Sequence, residues 1–164
     1  MKCWTIVLLI GLFAGACTSE VETLKQKGFQ VFPEMNIALK CPCELKLDKK
    51  MMKEQSSELG AKVFAYSCKD SLLTNYVFHA LEEHNPKGNS KENREDEYKA
   101  LNQKFELKKQ MIAGAPALHF TYSCMSVGIQ IYKPRWNYFL IVYKSLNPDR
   151  DMKAFTSSIR FIDE

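Results

Sequence analysis

The sequence has little histidine and no strong excess of charge of either sign. Its 164 residues include 3 His, and 23 Lys and Arg face 19 Asp and Glu, for a formal net charge of +4. That charge is too small for the basic surface of a nucleic-acid-binding protein, so we expect no nucleic-acid partner. With 46% hydrophobic and 26% charged residues, the composition is that of a globular protein. The length suits one compact domain.

The common catalytic motifs are also missing. The chain contains no Gly-x-Ser-x-Gly nucleophile elbow, no His-Glu-x-x-His zinc motif and no glycine-rich phosphate-binding loop. Its histidines are isolated, with His79 and His119 on predicted strands and His84 in a predicted loop. We therefore predict no catalytic residue, no cofactor and a protein that is not an enzyme.

The sequence also lacks an apolar run that is long enough to span a membrane. Its longest apolar run is at the N-terminus. Lys2 precedes an apolar segment that extends from Trp4 to Ala16. A membrane-spanning helix needs about 20 apolar residues, so this segment is too short to cross a bilayer. A charged start, a short apolar run and small residues at its end are typical of a signal peptide. We predict a signal peptide over residues 1–16.

Two kinds of processing fit the end of this segment. Ala14-Gly15-Ala16 is a site for ordinary secretory cleavage. The string Phe13-Ala14-Gly15-Ala16-Cys17 also resembles a bacterial lipobox, in which the cysteine becomes the lipidated first residue. Lipidation of Cys17 would leave four later cysteines, an even number suited to disulfides. We favour lipidation at Cys17, followed by a polar tether over residues 17–27.

This interpretation places the protein in a bacterial cell envelope. The chain has no Asn-x-Ser/Thr glycosylation sequon, which mildly favours a bacterial over a eukaryotic secreted protein. We expect an exported lipoprotein, on the periplasmic or the surface face of a membrane. Its partners would be the membrane, through the N-terminal lipid, and a protein of the cell envelope.

The rest of the chain predicts one α+β domain over residues 28–164. Alternating apolar residues predict seven strands, and apolar stripes at helical spacing predict a mid-chain helix with Tyr98, Leu101, Phe105 and Ile112 and a second helix with Met152, Phe155 and Ile159. Gly114 and Pro116 would end the first helix, and Asn147 and Pro148 would begin the second. Arg160 to Ile162 could add a final strand. The predicted strands cover residues 28–33, 36–47, 61–68, 73–81, 117–124, 127–133 and 138–144. The order ββββ-α-βββ-α favours an antiparallel sheet with helices packed on it.

This pattern resembles the PsbP-like fold, named for an extrinsic protein of photosystem II. The resemblance is carried by Phe32-Pro33, the helix around Tyr98–Gln110, the strand from Tyr138 to Tyr143 and the closing segment from Ala154 to Phe161. It covers most of residues 28–164. It implies a PsbP-like sandwich whose role is scaffolding, assembly or binding, and it supplies no catalytic residues.

Cysteines form the most informative set of candidate site residues. Cys41, Cys43, Cys68 and Cys124 remain in the domain, and four cysteines allow three pairings. A hairpin centred near Met52–Glu54 would bring Cys41 close to Cys68 and leave Cys43 for Cys124. We expect two disulfides that connect strands. The alternative is a redox or soft-metal site at Cys41 and Cys43, because thiolates are ligands for Cu(I) or Zn.

Aromatic residues around one turn form the second candidate site. Tyr132, Trp136 and Tyr138 flank Pro134-Arg135. We expect these residues to lie in the hydrophobic core of the domain and at its rim. If Trp136 is exposed beside Arg135, the same group could bind a partner, because Trp, Tyr and Arg are enriched in interface hot spots. The function that we predict is therefore binding or assembly, and the alternative is handling of thiols or soft metals through Cys-Pro-Cys.

Overall fold

A computed structural model describes residues 19–83 and 91–162 of the chain. The predicted signal peptide, the predicted lipidation site Cys17 and the predicted loop from His84 to Ser90 lie outside the described residues. In chain order the helices are α1 (Glu20–Gln26), α2 (Lys49–Leu59), α3 (Lys91–Asn102) and α4 (Pro148–Ser157). The strands are β1 (Gln30–Phe32), β2 (Ile37–Leu39), β3 (Lys46–Leu47), β4 (Val63–Lys69), β5 (Asn75–Glu82), β6 (Glu106–Ile112), β7 (Ala115–Ser123), β8 (Ser126–Tyr132), β9 (Trp136–Tyr143) and β10 (Arg160–Phe161).

The strands form two antiparallel sheets, which confirms the predicted α+β class. The larger sheet has seven strands in the order β3-β4-β5-β9-β8-β7-β6, and the smaller has three in the order β1-β2-β10. Strand β9 lies at the centre of the large sheet, as its apolar run predicts. The predicted strand over residues 36–47 is broken around Pro42, so that β2 joins the small sheet and β3 the edge of the large one.

Alternation along the strands gives the large sheet two apolar faces. On one face the small sheet packs through Phe32 and Phe161, whose rings lie 5.3 Å from Phe78 and 5.7 Å from Tyr138. The Tyr138 hydroxyl donates a 2.7 Å hydrogen bond to the Met35 carbonyl. Helix α4 packs on β8 and β9, and its Met152, Phe155 and the following Ile159 join the same core.

Helix α3 covers a second, smaller core that belongs to the other face of the sheet. Its Tyr98 and Leu101, with Phe105 beyond it, pack against a separate cluster formed by Leu107, Leu118, Phe120 and Tyr132. Because side chains alternate along a strand, Leu118 and His119 point to opposite faces of β7. The two cores therefore lie on the two sides of one sheet.

The second half of the predicted mid-chain helix is wrong. Helix α3 ends at Asn102, and residues Glu106–Ile112 instead form β6, which pairs with β7. The backbone N–H groups of Lys104 and Phe105 bond to the Leu101 carbonyl and close the helix. Ala113 and Gly114 both have positive φ, 47° and 80°, as in a two-residue hairpin turn. Gly114 therefore belongs to the turn between β6 and β7 and does not end a helix.

Two helices fall in segments that the apolar pattern left without a regular structure. Within the predicted polar tether, Ser19 caps α1 by accepting a bond from the Glu22 N–H. Asp48 caps α2 in the same way through the Met51 N–H, and Gly60 ends it with φ of 62°. Both helices are highly polar, so capping residues define them better than hydrophobic periodicity does. No helix among the described residues is long and apolar enough to span a membrane.

Candidate functional site

An open cleft with polar side chains in its lining lies between α4 and the edge of the large sheet. Its volume is about 530 Å³. Apolar side chains from β6, β8 and the α4 region form part of its wall: Ile112, Ile129, Met152 and Ile159. Polar and charged side chains complete the lining, among them His119, Asp149, Lys153, Ser157 and Arg160. We call this space the α4 cleft.

Local structure places one wall of the cleft firmly. The Asn147 side chain accepts a bond from the Arg150 N–H, and Pro148 occupies the first turn, so α4 begins where the sequence predicts. Phe155 and Met152 are almost fully buried against the sheet. Helix α4 is therefore a fixed wall, and its outer residues form the rim.

A histidine and a carboxylate meet at this rim. His119 Nε2 lies 3.6 Å from Asp149 Oδ1, too long for a good hydrogen bond. Nε2 is buried and has no hydrogen-bond partner among the described residues. Burial lowers the pKa of His119, and the nearby Asp149 opposes this shift. The imidazole in the cleft wall is thus largely neutral at pH 7, and its Nε2 is buried and not open to the cleft.

The sequence alone did not identify this arrangement. The sequence predicts that His119 lies on a strand and that α4 begins at Asn147-Pro148. His119 and Asp149 are far apart in the chain, so their contact is not visible in the sequence. Alternation along β7 does place His119 on the same face as Ala117, which belongs to the larger core. That signal gives the face of the sheet, whereas contact with Asp149 depends on how α4 crosses it.

We expect the folded protein to lose stability when the pH falls from about 7 to 5, in part through His119. Burial lowers the pKa of His79 and of His119, so the unfolded chain binds protons more readily. Their contribution is complete above the ordinary histidine pKa of about 6.5 and is lost as the pH falls toward the folded pKa. Urea denaturation at both pH values measures this loss. His119→Gln should make the loss smaller, and an unchanged loss would contradict the assignment.

Three of the predicted cysteines come together at the edge of the large sheet. Cys43 and Cys68 form a disulfide, and Cys41 Sγ lies 3.4 Å from Cys68 Sγ. The three sulfur atoms all lie within 4.8 Å of one another. The predicted approach of the Cys-Pro-Cys segment to Cys68 is therefore correct, although the bonded partner is Cys43 and not Cys41.

The second predicted disulfide is not formed. Cys124 lies in the β7–β8 turn as an exposed thiol, and Cys41 is a half-buried thiol. Cys43 cannot pair with Cys124 because it is already bonded to Cys68. The four cysteines are thus one disulfide and two separate thiols.

The two thiols should react at very different rates. Burial raises the pKa of Cys41 to about 11, and Asp70 adds to the shift. At pH 8 such a thiol is ionised in only about one molecule in a thousand, and the thiolate is the reactive form. We expect iodoacetamide to modify exposed Cys124 at least about ten times faster than Cys41 in the native protein. Peptide mass mapping over time measures both rates, and equal rates would contradict this prediction.

The aromatic candidate site is mostly core. Trp136 is 2% exposed and Tyr138 1%, and both belong to the larger core, whereas Tyr132 belongs to the smaller one. Arg135 is on the surface and pairs with Glu82 at 3.0 Å. The structure therefore places these residues in the core and at its rim. Trp136 is not exposed in the way that a binding hot spot would require.

Comparisons of the sequence with protein-family models and with curated proteins give no relative. No protein-family model matches the chain, and a search of curated proteins finds no significant match. The functional argument therefore depends on the residues and geometry described above.

Proposed function

We propose that the chain is an exported bacterial lipoprotein, anchored through Cys17, whose α+β domain binds a small ligand in the α4 cleft. Such a protein is a binding or assembly module of the cell envelope, the role that the PsbP-like resemblance also implies. The observation that carries the binding role is the cleft itself, in which apolar side chains lie beside His119, Lys153 and Arg160. A concave apolar site with a few polar groups is typical of small-molecule sites.

Chain order supports the anchored arrangement. Cys17 is followed by Thr18 and then by Ser19, which caps α1. Regular structure therefore begins within three residues of the predicted lipidation site, since α1 starts at Glu20. A short connection of this kind would hold the domain against the membrane surface.

The lining of the cleft indicates an amphipathic ligand with an acidic group. Met111, which is 63% exposed, and the half-buried Ile112 offer apolar contacts, while Lys153 and Arg160 bring positive charge to the rim. Asp149 is the acidic lining residue, and it faces His119. A ligand with an apolar body and a carboxylate or sulfonate end would match both parts of this lining.

Binding of anilinonaphthalene sulfonate to the native protein tests the cleft. This dye is amphipathic and anionic, and we expect the α4 cleft of the wild-type protein to bind it. Ser157→Phe places an aromatic ring at a lining position and should weaken binding at least about tenfold, the loss of roughly 1.4 kcal/mol. Ala154→Phe is the matched control, since Ala154 is exposed on the same helix but does not line the cleft. Equal binding by both variants would place the dye elsewhere and contradict the proposed site.

One observation favours a second function, the handling of thiols or soft metals. Three sulfur atoms within 4.8 Å of one another could bind Cu(I) or Zn once Cys43 and Cys68 are reduced. The disulfide and the raised pKa of Cys41 place this function second, because metal binding requires thiolates. Native mass spectrometry after reduction and addition of Cu(I) tests it, with Cys41→Ser as the variant that should lose the metal.

A further inference from the structure

Large apolar side chains are exposed together at one end of the large sheet. Leu72 and Leu73 lie in the β4–β5 turn, Met125 in the β7–β8 turn and Leu146 in the β9–α4 connection. Their exposed fractions are 75% for Leu72, 60% for Leu73, 42% for Met125 and 97% for Leu146. Tyr122, close to the β7–β8 turn, is also exposed. We call the four residues Leu72, Leu73, Met125 and Leu146 the apolar end.

Strand register places these connections side by side. Asn75 of β5 is opposite Tyr143 of β9, which is opposite Ser126 of β8. Adjacent strands are about 4.8 Å apart, so the three connections leave the sheet within about 20 Å of one another. The Ser145 N–H also bonds to the Met125 carbonyl at 3.2 Å, which joins two of them directly.

Hydrogen bonds hold the exposed leucines in place. Asp70 Oδ1 accepts bonds from the N–H groups of Leu72 and Thr74, and the Asp70 N–H bonds to the Thr74 carbonyl. Leu146 lies between Ser145, which is fully buried, and Asn147, whose N–H bonds to the Ser145 hydroxyl. Both turns are therefore ordered, and the exposure of Leu72 and Leu146 belongs to the folded state.

The N-terminal part of the domain arrives at this same end. Gln30, the first residue of β1, donates a 2.9 Å bond to the Cys43 carbonyl, and Cys43 is bonded to Cys68. Cys68 is opposite Tyr76, one residue pair from the β4–β5 turn. Helix α1 precedes Gln30 and spans about 10 Å. Cys17 is therefore connected to this end by at most about 35 Å of chain.

Basic side chains surround the apolar end. Lys27, Lys40, Lys69 and Lys144 are exposed on the segments that meet there. The acidic side chains near this end are Glu44, Asp70 and Asp151. The Asp70 carboxylate is occupied by the turn, and that of Asp151 by the Ser145 hydroxyl and Arg150. Exposed apolar residues with a basic border suit a bilayer surface that carries anionic headgroups.

We propose that the apolar end faces the membrane and inserts Leu72, Leu73, Met125 and Leu146 into the bilayer interface beside the lipid on Cys17. This inference rests on the proposed lipid anchor and adds an orientation to it. The α4 cleft would then have a fixed position relative to the membrane. The occupant is a phospholipid surface, and a protein partner at the same end is an alternative that the experiment distinguishes.

Cys124 provides a natural reporter at this end, because it is an exposed thiol next to Met125. The experiment labels Cys124 of the full-length processed protein with a nitrobenzoxadiazole dye and reconstitutes the protein in phosphatidylglycerol–phosphatidylcholine vesicles. Nitroxide-labelled phospholipid in the vesicles should quench the dye at least about twofold. The matched control carries Cys124→Ser with Leu59→Cys, since Leu59 is 59% exposed and belongs to the far end of the sheet, before β4. A dye at Leu59→Cys should not be quenched.

The other readouts separate the possible failures. Leu72→Asp with Leu146→Asp should reduce quenching at Cys124 while the protein stays bound to vesicles through its lipid. Intact mass reports the lipid on Cys17 independently. An acylated protein with an unquenched, water-exposed dye would overturn the orientation and leave the anchor intact. An unquenched dye with a blue-shifted spectrum would indicate a second copy of the chain at this end and would also overturn the orientation. A chain without acylation that leaves the vesicles would overturn the proposed anchor together with this inference.

Discussion

Replacing Trp136 by alanine should lower the free energy of unfolding by about 3–5 kcal/mol, whereas Arg135→Ala should change it by less than about 1 kcal/mol. Trp136 is 2% exposed and its ring lies 6.0 Å from that of Phe64, so its removal leaves a large cavity in the core. Arg135 is mostly exposed, and a surface pair with Glu82 contributes little. Urea denaturation of the two variants gives both values.

A third variant makes this test more specific. Trp136 Nε1 is buried without a hydrogen-bond partner among residues 19–83 and 91–162. Trp136→Phe therefore loses volume but no hydrogen bond, and it should cost less than half as much as Trp136→Ala. If Trp136→Ala were as stable as the wild type, the indole would be exposed, and the binding hot spot around Arg135 would be the better interpretation.

Loss of Cys68 should destabilise the protein more than loss of Cys43. The disulfide joins residues separated by 25 positions in sequence, and a loop of that size is worth about 3 kcal/mol. Cys68→Ala removes every possible bridge between the Cys-Pro-Cys segment and β4. In Cys43→Ala, Cys41 remains with its sulfur 3.4 Å from that of Cys68, so a Cys41–Cys68 disulfide can replace the native one. We expect Cys43→Ala to cost about 1 kcal/mol or less.

Mass spectrometry and denaturation together test this difference. Cys43→Ala should retain a disulfide that links the peptides containing Cys41 and Cys68, and Cys68→Ala should contain no disulfide between these two peptides. The double variant Cys41→Ala with Cys43→Ala should be as unstable as Cys68→Ala. Equal losses for the single variants at Cys43 and Cys68 would show that Cys41 cannot replace Cys43.

Much of the sheet could be predicted from the sequence because its strands have clear alternation or a continuous apolar run. The central position of β9 followed from its nearly uninterrupted apolar residues, and the start of α4 followed from Asn147 and Pro148. These features are local, so they can be seen in a single sequence. The α+β class followed from their order.

The errors arose where local pattern is ambiguous. Tyr98, Leu101 and Phe105 do pack together, but the spacing continues by chance to Ile112, which belongs to β6. The positive φ angles of Ala113 and Gly114 make this segment a hairpin turn and not the end of a helix. Composition alone does not reveal these angles. Helix α2 was missed because it buries no residue fully and therefore has little apolar pattern.

The candidate sites show the same limit. The sequence predicts that the Cys-Pro-Cys segment lies near Cys68. Whether Cys41 or Cys43 forms the disulfide with Cys68 depends on a few ångströms at the sheet edge. The α4 cleft depends on contacts between His119 and Asp149, which belong to separate elements. Such contacts follow from tertiary packing and have no counterpart in the local spacing of residues.

Intact mass of the protein extracted from its native membrane is the most direct test of the central claim. The proposed lipoprotein should begin at Cys17, carry a diacyl or triacyl adduct and lose that adduct in the Cys17→Ser variant. Reduction and alkylation of the same sample should add two alkyl groups beyond those taken up by the denatured, unreduced protein, because one disulfide is present. A mature chain that begins at Cys17 without a lipid, or that keeps the adduct in Cys17→Ser, would contradict the account.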